Sequence, residues 1–275
     1  WALQRMAHPD GERATARGAT AAGALMTVST TSTVRLEDVA AVDDSPRWFQ
    51  LYRVHGSHYT DDLVHRAAAA GYRALVVTVD LPVLGRRLRD VRNDFDLPEG
   101  ITLANHPQVL QADGVDLQTA LGRVETASWT FTDIAHFAAL TPMPVVVKGV
   151  LRGDDARRCI DAGARAVWVS THGGRQADPA VASAVALAEV VAAVGPDTEV
   201  YVDGGVRRGS DVLTALALGA RAVFLGRPTA WGLATGGADG VRDVLDGLSA
   251  DLAHTMALCG VPSVDDVTRD LVTPA

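Results

Sequence analysis

One phrase occurs three times in this chain, and it restricts the possible folds more than any other feature. The copies are A-G-Y-R-A-L-V-V-T at residues 70–78, A-G-A-R-A-V-W-V-S at 162–170 and L-G-A-R-A-V-F-L-G at 218–226. In each copy a helix ends near a glycine, a short turn follows, and a strand of the buried type begins. Strands that alternate with helices pair in parallel, because each helix returns the chain to the same end of the sheet. The repeat therefore predicts an α/β fold made of successive βα units.

The rest of the chain follows the same alternation. Apolar runs predict strands at 24–29, 48–52, 74–79, 145–147, 166–169, 200–202 and 222–225. Helical patterns lie around them, at 10–22, 36–42, 61–70, 154–162, 180–194, 210–218 and 240–258. No G-x-G-x-x-G follows the first strand, so a (β/α)8 TIM barrel is favoured over a dinucleotide-binding sheet.

The number of predicted strands is too small for a complete barrel. Seven strands are predicted where eight are needed, and the first predicted element is a helix. We therefore expect the first barrel strand to be missing from this chain, ahead of Trp1. Residues 1–275 are expected to form a single domain.

Composition argues against several classes of protein. Hydrophobic residues make up 48% of the 275 positions, enough for a large core, but no apolar run approaches the length of a membrane span. A net charge of −8 argues against nucleic acid or an anionic membrane surface as a partner. Cys159 and Cys259 are isolated and form neither a disulfide framework nor a metal-ligand pattern. These features predict a cytoplasmic protein with reduced cysteines.

Polar residues stand at the ends of the predicted strands. Lys148, His172 and Asp80 each follow a different strand. The carboxyl ends of parallel strands open into one mouth where ligands bind, so these side chains are expected to meet there, close to Arg175. Lys148 is the one lysine among 25 lysine and arginine residues, which indicates a requirement for a compact charge. The alternative for Lys148 is a surface residue without a role.

Two glycines and an arginine follow His172 in the sequence H-G-G-R. A histidine at a strand end is often a purely structural group, but glycines allow close backbone approach, and the pattern favours a general base. Asp80 could then orient the imidazole and stabilise its protonated form. The alternative for Asp80 is a helix cap, but Leu81 and Pro82 follow it where a helix would begin.

Glycine-rich loops follow the last two predicted strands. One reads D-G-G-V-R-R-G from Asp203, and the other reads L-G-R-P around Gly226. Backbone N–H groups at glycines and arginine guanidinium groups both bind phosphate oxygens. Barrels commonly place a phosphate site in the loops after their last two strands. The pair of loops therefore predicts a phosphate site, in a sequence without a Walker motif.

The connection at 81–128 is far longer than a usual loop. Arginines cluster close to its start, at Arg86, Arg87, Arg89 and Arg92. We interpret this connection as a lid over the mouth. A disordered surface loop is the alternative.

Seven segments resemble one enzyme family over nearly the whole chain. They are MTVS, WFQLY, VTVDLPVLGRRLRDVRN, VVVKGV, VSTHGGRQADP, VYVDGGVRRGSDV and FLGRP. The sequence is similar to the FMN-dependent 2-hydroxy-acid oxidases and dehydrogenases, which include glycolate, lactate and hydroxymandelate oxidases. The resemblance implies a (β/α)8 barrel with FMN at the carboxyl ends of the strands, and oxidation of a 2-hydroxy acid to the 2-oxo acid. It also implies a homo-oligomer, as a tetramer, and leaves the electron acceptor open between oxygen and another molecule.

The resemblance implies roles for the residues that match the family motifs. His172 would be the active-site base and Asp80 its partner. Arg175, together with Arg87 from the lid, would bind the substrate carboxylate. Tyr52 would bond to that carboxylate or to the substrate hydroxyl.

The other implied contacts are with the cofactor. Lys148 would stabilise negative charge on the reduced flavin. Cofactor-binding residues by resemblance are Ser29, Gln50, Thr78, Lys148, Ser170, Asp203, Gly205, Arg207, Gly226 and Arg227.

Two positions depart from the usual family pattern. Thr171 stands where the family usually has asparagine, and Thr31 stands where many short-chain oxidases have a large aromatic residue. We count Thr31 among the substrate-binding residues. Its small side chain predicts a pocket that admits an aromatic 2-hydroxy acid such as mandelate.

Two other functions fit parts of the sequence. Lys148 could be the nucleophile of a Schiff-base aldolase or isomerase that acts on a phosphorylated substrate held by Arg207 and Arg227. The chain could also be a non-catalytic barrel fragment that packs alone or with a partner chain.

Overall fold

The computed structural model describes residues 1–53, 57–106 and 129–273, and its centre is a sheet of seven parallel strands. The strands follow chain order across the sheet, so that the first and the last form its two edges. Their bounds are Met26–Ser29 (β1), Arg47–Leu51 (β2), Ala74–Thr78 (β3), Val145–Val150 (β4), Ala166–Val169 (β5), Glu199–Asp203 (β6) and Ala222–Phe224 (β7).

Helices connect these strands, as the repeat predicts. Their bounds are Gly11–Ala21 (α1), Leu36–Ala40 (α2), Ser57–Ala69 (α3), Leu88–Arg92 (α4), Phe131–Leu140 (α5), Gly153–Asp161 (α6), Ser183–Val194 (α7), Gly209–Ala217 (α8) and Arg227–Leu258 (α9). Short 3-10 turns lie at Gln4–Met6, His172–Gly174, Val264–Asp266 and Arg269–Leu271.

The main core lies between the sheet and its helices. Alternate strand residues point into it, and Val28, Phe49, Leu75 and Val147 are all fully buried there. Burial of this apolar surface holds the helices against the outer face of the sheet.

The inner face of the sheet carries an aromatic cluster. Trp168 stacks on Phe224 with ring centroids 3.8 Å apart, and Trp48 lies 5.2 Å from Tyr201 and 5.5 Å from Phe224. Trp48 belongs to β2, whereas its two partners belong to β6 and β7. These contacts cross the interior, so the sheet must be curled.

The expected barrel with a missing strand is confirmed. The seven strands curl as a TIM barrel does, but β1 and β7 remain edges, each paired on one side within the described part of the chain. The backbone groups on the free side of each edge have no ladder partner there.

Three helices differ from the prediction. Neither α4 nor α5 lies in a predicted helical pattern, although Thr130 and Asp133 form a capping box at the start of α5. The last helical stretch begins at Arg227 and not at residue 240, because Pro228 suits the first turn of a helix, and it is interrupted at Gly237, whose φ of 57° and ψ of −133° are not helical.

Part of the predicted lid is described. Residues 81–106 include α4 and end against the loop after β1, where the Asn105 amide donates to the carbonyl oxygen of Thr30 at 3.2 Å and to Ser32 Oγ at 2.8 Å. The rest of the predicted lid, at 107–128, lies outside the described residues.

Within the ranges that the structure describes, no helix is both long and apolar enough to cross a membrane. Helix α9 has 32 residues, but Asp239, Arg242 and Asp243 lie in it. Charges at such positions would be costly in hydrocarbon.

The open edges predict that one more parallel strand stabilises the fold. A segment fused ahead of Trp1 that pairs with both β1 and β7 would satisfy their free backbone groups, for a gain on the order of a few kcal/mol. We expect the melting temperature measured by calorimetry to rise by roughly 10 °C for a chain of this size. A matched segment with proline at successive positions lacks N–H donors toward both edges and should leave the melting temperature unchanged. An equal rise with both segments would contradict the prediction.

Candidate active site

Strand register brings the predicted polar residues to one end of the sheet. Thr78 is opposite Lys148 in the ladder of β3 and β4, and Lys148 is opposite Trp168 in the ladder of β4 and β5. Asp80 follows β3 closely and Ser170 directly follows β5. Residues in register point to the same face, so these side chains meet at the carboxyl mouth of the barrel.

His172 is held between two side chains. Its Nδ1 lies 2.9 Å from Asp80 Oδ1, and its Nε2 lies 3.3 Å from the hydroxyl of Tyr52. An ionised carboxylate only accepts hydrogen bonds, so Asp80 favours the tautomer with the proton on Nδ1 and leaves Nε2 as the basic nitrogen. This arrangement suits a general base at Nε2 whose ring orientation is fixed by the bond between Nδ1 and Asp80.

The backbone at His172 is left-handed. His172 has a φ of 54°, and Gly173 and Gly174 follow with φ of 67° and 72°. This region costs a non-glycine residue roughly 1–2 kcal/mol, so other contacts must hold it. One such contact is the hydrogen bond that the His172 backbone N–H donates to Ser170 Oγ at 3.0 Å. The two glycines after His172 therefore serve the turn itself.

Lys148 is a fixed positive charge at the centre of the mouth. Its Nζ donates to Ser170 Oγ at 3.0 Å, and that hydroxyl donates onward to Asp203 Oδ1 at 2.7 Å. The same Nζ lies 3.9 Å from Asp80 Oδ2 and 3.8 Å from Asp203 Oδ2. Two carboxylates and a hydroxyl therefore surround the ammonium group.

Gly149 makes room for Asp80. Its φ is 104°, and a Cβ atom built on it would lie 2.6 Å from Asp80 Cβ and 2.7 Å from Asp80 Cγ. Asp80 Oδ2 is buried without a hydrogen-bond partner in the described part of the chain. One carboxylate oxygen thus bonds to His172 while the other faces Lys148, and a side chain at Gly149 would disturb both contacts.

Arg87 and Arg175 come together beside Tyr52. Arg87 Nη1 lies 3.9 Å and Arg175 Nη2 lies 4.0 Å from the same oxygen of Asp90. Burial, and after it the charge of Arg175, lowers the pKa of Arg87. Burial, followed by the negative charge of Asp80, raises the pKa of Tyr52, and the two arginines oppose this shift. Tyr52 is therefore a protonated donor next to two cations.

A row of buried polar side chains lies at the ends of β1, β2 and β3. Ser29 Oγ donates to Gln50 Oε1 at 3.0 Å, and Gln50 Nε2 donates to Thr78 Oγ1 at 3.0 Å. Thr31 Oγ1 lies 3.1 Å from Ser29 Oγ, so the residue predicted to set substrate size adjoins this row. Such a row offers donors and acceptors to the edge of a flat heterocycle.

The glycine-rich loops lie just before the starts of α8 and α9. Nothing lies within 4 Å of a Cβ atom built on Gly205 or Gly226, so the space above both is open. Arg207 precedes α8, and Arg227 begins α9. Arg227 Nη2 also donates to the carbonyl oxygen of Gly173 at 3.3 Å, which connects this loop to the turn at the histidine.

Sequence reasoning missed three residues that shape the site, namely Gly149, Asp90 and Gln176. Gly149 directly follows the lone lysine, where a glycine inside a strand signals close backbone approach. Asp90 and Gln176 give no comparable signal, because their contacts depend on the path of the long connection after β3. The structure does bring the predicted catalytic residues into contact, while their individual roles stay predictions.

Fold and site together define a barrel enzyme with its ligand mouth at the carboxyl ends of the strands. The sequence matches the FMN-dependent dehydrogenase family over residues 1–274, and the chain belongs to that family. It is 47% identical to an L-lactate oxidase from Nostoc sp. over 97% of this chain and 76% of the relative. It is 48% identical to a 4-hydroxymandelate oxidase from Amycolatopsis orientalis over 98% of this chain and 76% of the relative. A solved structure of a mandelate oxidase variant with a C4a-OH-FMN adduct has a TM-score of 0.88 and 46% identity, covering 98% of this chain and 76% of that one.

The residues present fit FMN. The row of Ser29, Gln50 and Thr78 supplies hydrogen-bonding groups for a ring edge, and Lys148 adds a positive charge. The open glycine loops with their two arginines supply backbone and cationic groups for a phosphate. The chemistry of this donor set therefore matches a flavin ring with a phosphate tail.

Gly149→Ala should destabilise the protein more than alanine at a glycine of similar conformation. Gly71 has a φ of 83° but nothing within 4 Å of a built Cβ, so Gly71→Ala measures the conformational cost alone. We expect Gly149→Ala to lower the free energy of unfolding by about 1–3 kcal/mol more, because its Cβ overlaps Asp80. Urea unfolding of both variants checks this. Equal losses would show that Asp80 is not packed against residue 149.

Proposed function

We propose that this chain oxidises a 2-hydroxy acid to the 2-oxo acid with FMN as the oxidant, and that His172 is the base. The observation that carries the proposal is the position of the imidazole, which bonds to Tyr52 through one nitrogen and to Asp80 through the other. Arg87 and Arg175 beside it suit a substrate that carries a carboxylate next to its hydroxyl. Membership of an FMN-dependent family supports the same chemistry.

The cofactor would be held by groups at the mouth. The ring would contact Ser29, Gln50, Thr78, Lys148 and Ser170, and the ribityl chain and phosphate would contact Asp203, Gly205, Arg207, Gly226 and Arg227. Bound FMN would supply the oxidant, as the acceptor of the hydrogen on the substrate α-carbon together with its two electrons. Lys148, fixed between Asp80 and Asp203, would offset negative charge that develops nearby.

Proton removal is the proposed task of His172. Nε2 would take the proton of the substrate hydroxyl, since Nδ1 already bonds to Asp80 at 2.9 Å. The Asp80 carboxylate would stabilise the imidazolium ion that forms and keep the ring from turning. Tyr52, with its raised pKa, would donate its proton in a hydrogen bond to the substrate.

Substrate binding is the proposed task of the two arginines. Arg87 Nε is buried and has no hydrogen-bond partner in the described part of the chain. A carboxylate would satisfy it, and Arg175 would bind the same group from the other side of the mouth. Because Arg87 belongs to the connection at 81–128, we propose that this connection is a lid within a single barrel domain.

A Schiff-base aldolase has weaker support. A nucleophilic lysine must be neutral, and enzymes favour the neutral amine by an apolar pocket or a neighbouring cation. Lys148 has the opposite surroundings, with Asp80 and Asp203 each within 4 Å of its ammonium group. The match to a flavin-dependent family also points to redox chemistry.

The proposed substrate is an aromatic 2-hydroxy acid. Relatives named 4-hydroxymandelate oxidase and mandelate oxidase support it, as does the small Thr31 beside Ser29. A small 2-hydroxy acid is the second candidate, since an L-lactate oxidase has nearly the same identity.

The proposed setting is the cytoplasm, with a homotetramer as the assembled form. Cys159 and Cys259 are both free, which fits a reducing compartment. Electrons would leave the enzyme to oxygen or to a second redox partner.

His172→Asn should keep flavin binding and slow the reduction of the flavin by 2-hydroxy acids by roughly 10²–10⁴-fold, because the base is removed. Anaerobic stopped-flow absorbance measures this rate. The matched control is His136→Asn, since His136 forms a similar pair with Asp61 at 2.9 Å away from the mouth, and it should reduce at the normal rate. A loss below about tenfold at His172 would contradict its role as base.

Mandelate should be oxidised with a higher kcat/KM than glycolate. Thr31→Trp should lower kcat/KM for mandelate by at least about tenfold and affect glycolate much less, because the larger side chain would fill space that the phenyl ring needs. Steady-state kinetics with both acids test this. Faster turnover of glycolate by the unaltered protein would favour the second candidate.

A further inference from the structure

We propose that Gln176 is a positioning residue that fastens the start of the lid to the loop after β5 and thereby sets the distance between Arg87 and Arg175. The link to substrate rests on the proposed function. The fastening itself rests on the geometry of residues 80–87 and 175–176.

The side-chain amide of Gln176 is fully engaged. Its Nε2 donates to the carbonyl oxygen of Asp80 at 3.1 Å and to that of Val83 at 3.0 Å. Its Oε1 accepts from the backbone N–H of Gly85 at 3.3 Å. Two donated hydrogens and one accepted hydrogen bond all go to one short stretch of backbone, which holds that stretch in a defined path.

Gly85 makes close contact from the other side. A Cβ atom built on it would lie 2.4 Å from the carbonyl oxygen of Arg175 and 2.8 Å from Gln176 Cα. The backbone at Gly85 is not left-handed, since it is not among the residues with positive φ. Glycine is therefore required here for packing and not for its conformational freedom.

The hydrogen bonds of Gln176 lie directly beside Arg87 and Arg175. Gln176 follows Arg175 in sequence, and Gly85 is two residues before Arg87. Two guanidinium groups near one another repel, and the charge of Arg175 contributes to the lowered pKa of Arg87. Asp90 attracts both but only from 3.9 Å and 4.0 Å. The hydrogen bonds of Gln176 to the backbone beside Arg87 oppose the separation of the two guanidinium groups.

Helix α4 adds little burial at the start of the lid. Helix α4 buries none of its residues, and Leu88 and Val91 are 53% and 58% exposed. A further described attachment, at Asn105, lies at the far end of residues 81–106. The contacts of Gln176 are therefore a main attachment of the backbone that carries Arg87.

Two variants break this contact from opposite sides. Gln176→Met keeps the length of the side chain but removes its hydrogen bonds, and Gly85→Ala places a methyl group against the Arg175 carbonyl. The control is Asp178→Ala, because the exposed Asp178 side chain makes no hydrogen bond within the described residues. If one variant fails to fold, the other tests the same contact.

The first readout is limited trypsin digestion of the full FMN-loaded chain without substrate. Both variants should be cut at least about tenfold faster than the parent and Asp178→Ala, since cleavage follows local opening. Mass spectrometry should locate the faster cuts at Arg86, Arg87, Arg89 and Arg92. Unchanged cleavage at these sites would overturn the claim that Gln176 holds the start of the lid, whatever reaction the protein catalyses.

The second readout is steady-state kinetics with mandelate. KM should rise about tenfold and kcat should change less than about threefold, because a misplaced Arg87 weakens substrate binding while His172 and Asp80 keep their contact. A lower melting temperature or flavin content with unchanged KM would indicate a merely structural role and would overturn the proposal. A parent enzyme that oxidises no 2-hydroxy acid would overturn the proposed function and with it the link to substrate, while digestion still decides the fastening.

Discussion

The Asp80 carboxylate is the interaction on which the rest of the mouth depends. One oxygen bonds to His172 Nδ1 at 2.9 Å, and the other lies 3.9 Å from Lys148 Nζ. It therefore sets the tautomer of the histidine and balances the lysine charge at the same time. The Asp80 side chain can occupy this position because residue 149 is a glycine. A Cβ atom built on Gly149 would lie only 2.6 Å from Asp80 Cβ.

Ser170 extends this arrangement across the sheet. Its hydroxyl accepts from Lys148 and from the backbone of His172, and it donates to Asp203. The turn at His172, the Lys148 ammonium group and the last residue of β6 thus share one buried oxygen atom. Polar groups in such a network gain from the low dielectric of their surroundings only when each has its partner, so the network favours a single geometry.

The sequence predicts the location of those site residues whose position follows from parallel strand geometry. Polar residues after apolar runs must converge at one mouth, so Asp80, Lys148 and His172 could be placed there before any coordinates. Contacts made by the long connection could not be placed, because its path depends on packing and not on periodicity. Gln176 and Asp90 belong to this group. Helix α5 is a different case, because the capping box at Thr130 and Asp133 is a local sequence signal for its start.

The two free edges of the sheet are not equivalent, and this has a consequence for assembly. Within the described residues, β1 exposes one side of a parallel ladder and β7 exposes the opposite side, so two copies related by translation face each other with unlike edges. Contact between two such chains through parallel strands would join β7 of one copy to β1 of the next. A head-to-tail contact of this kind closes into a ring where its rotation allows and otherwise continues as a linear polymer.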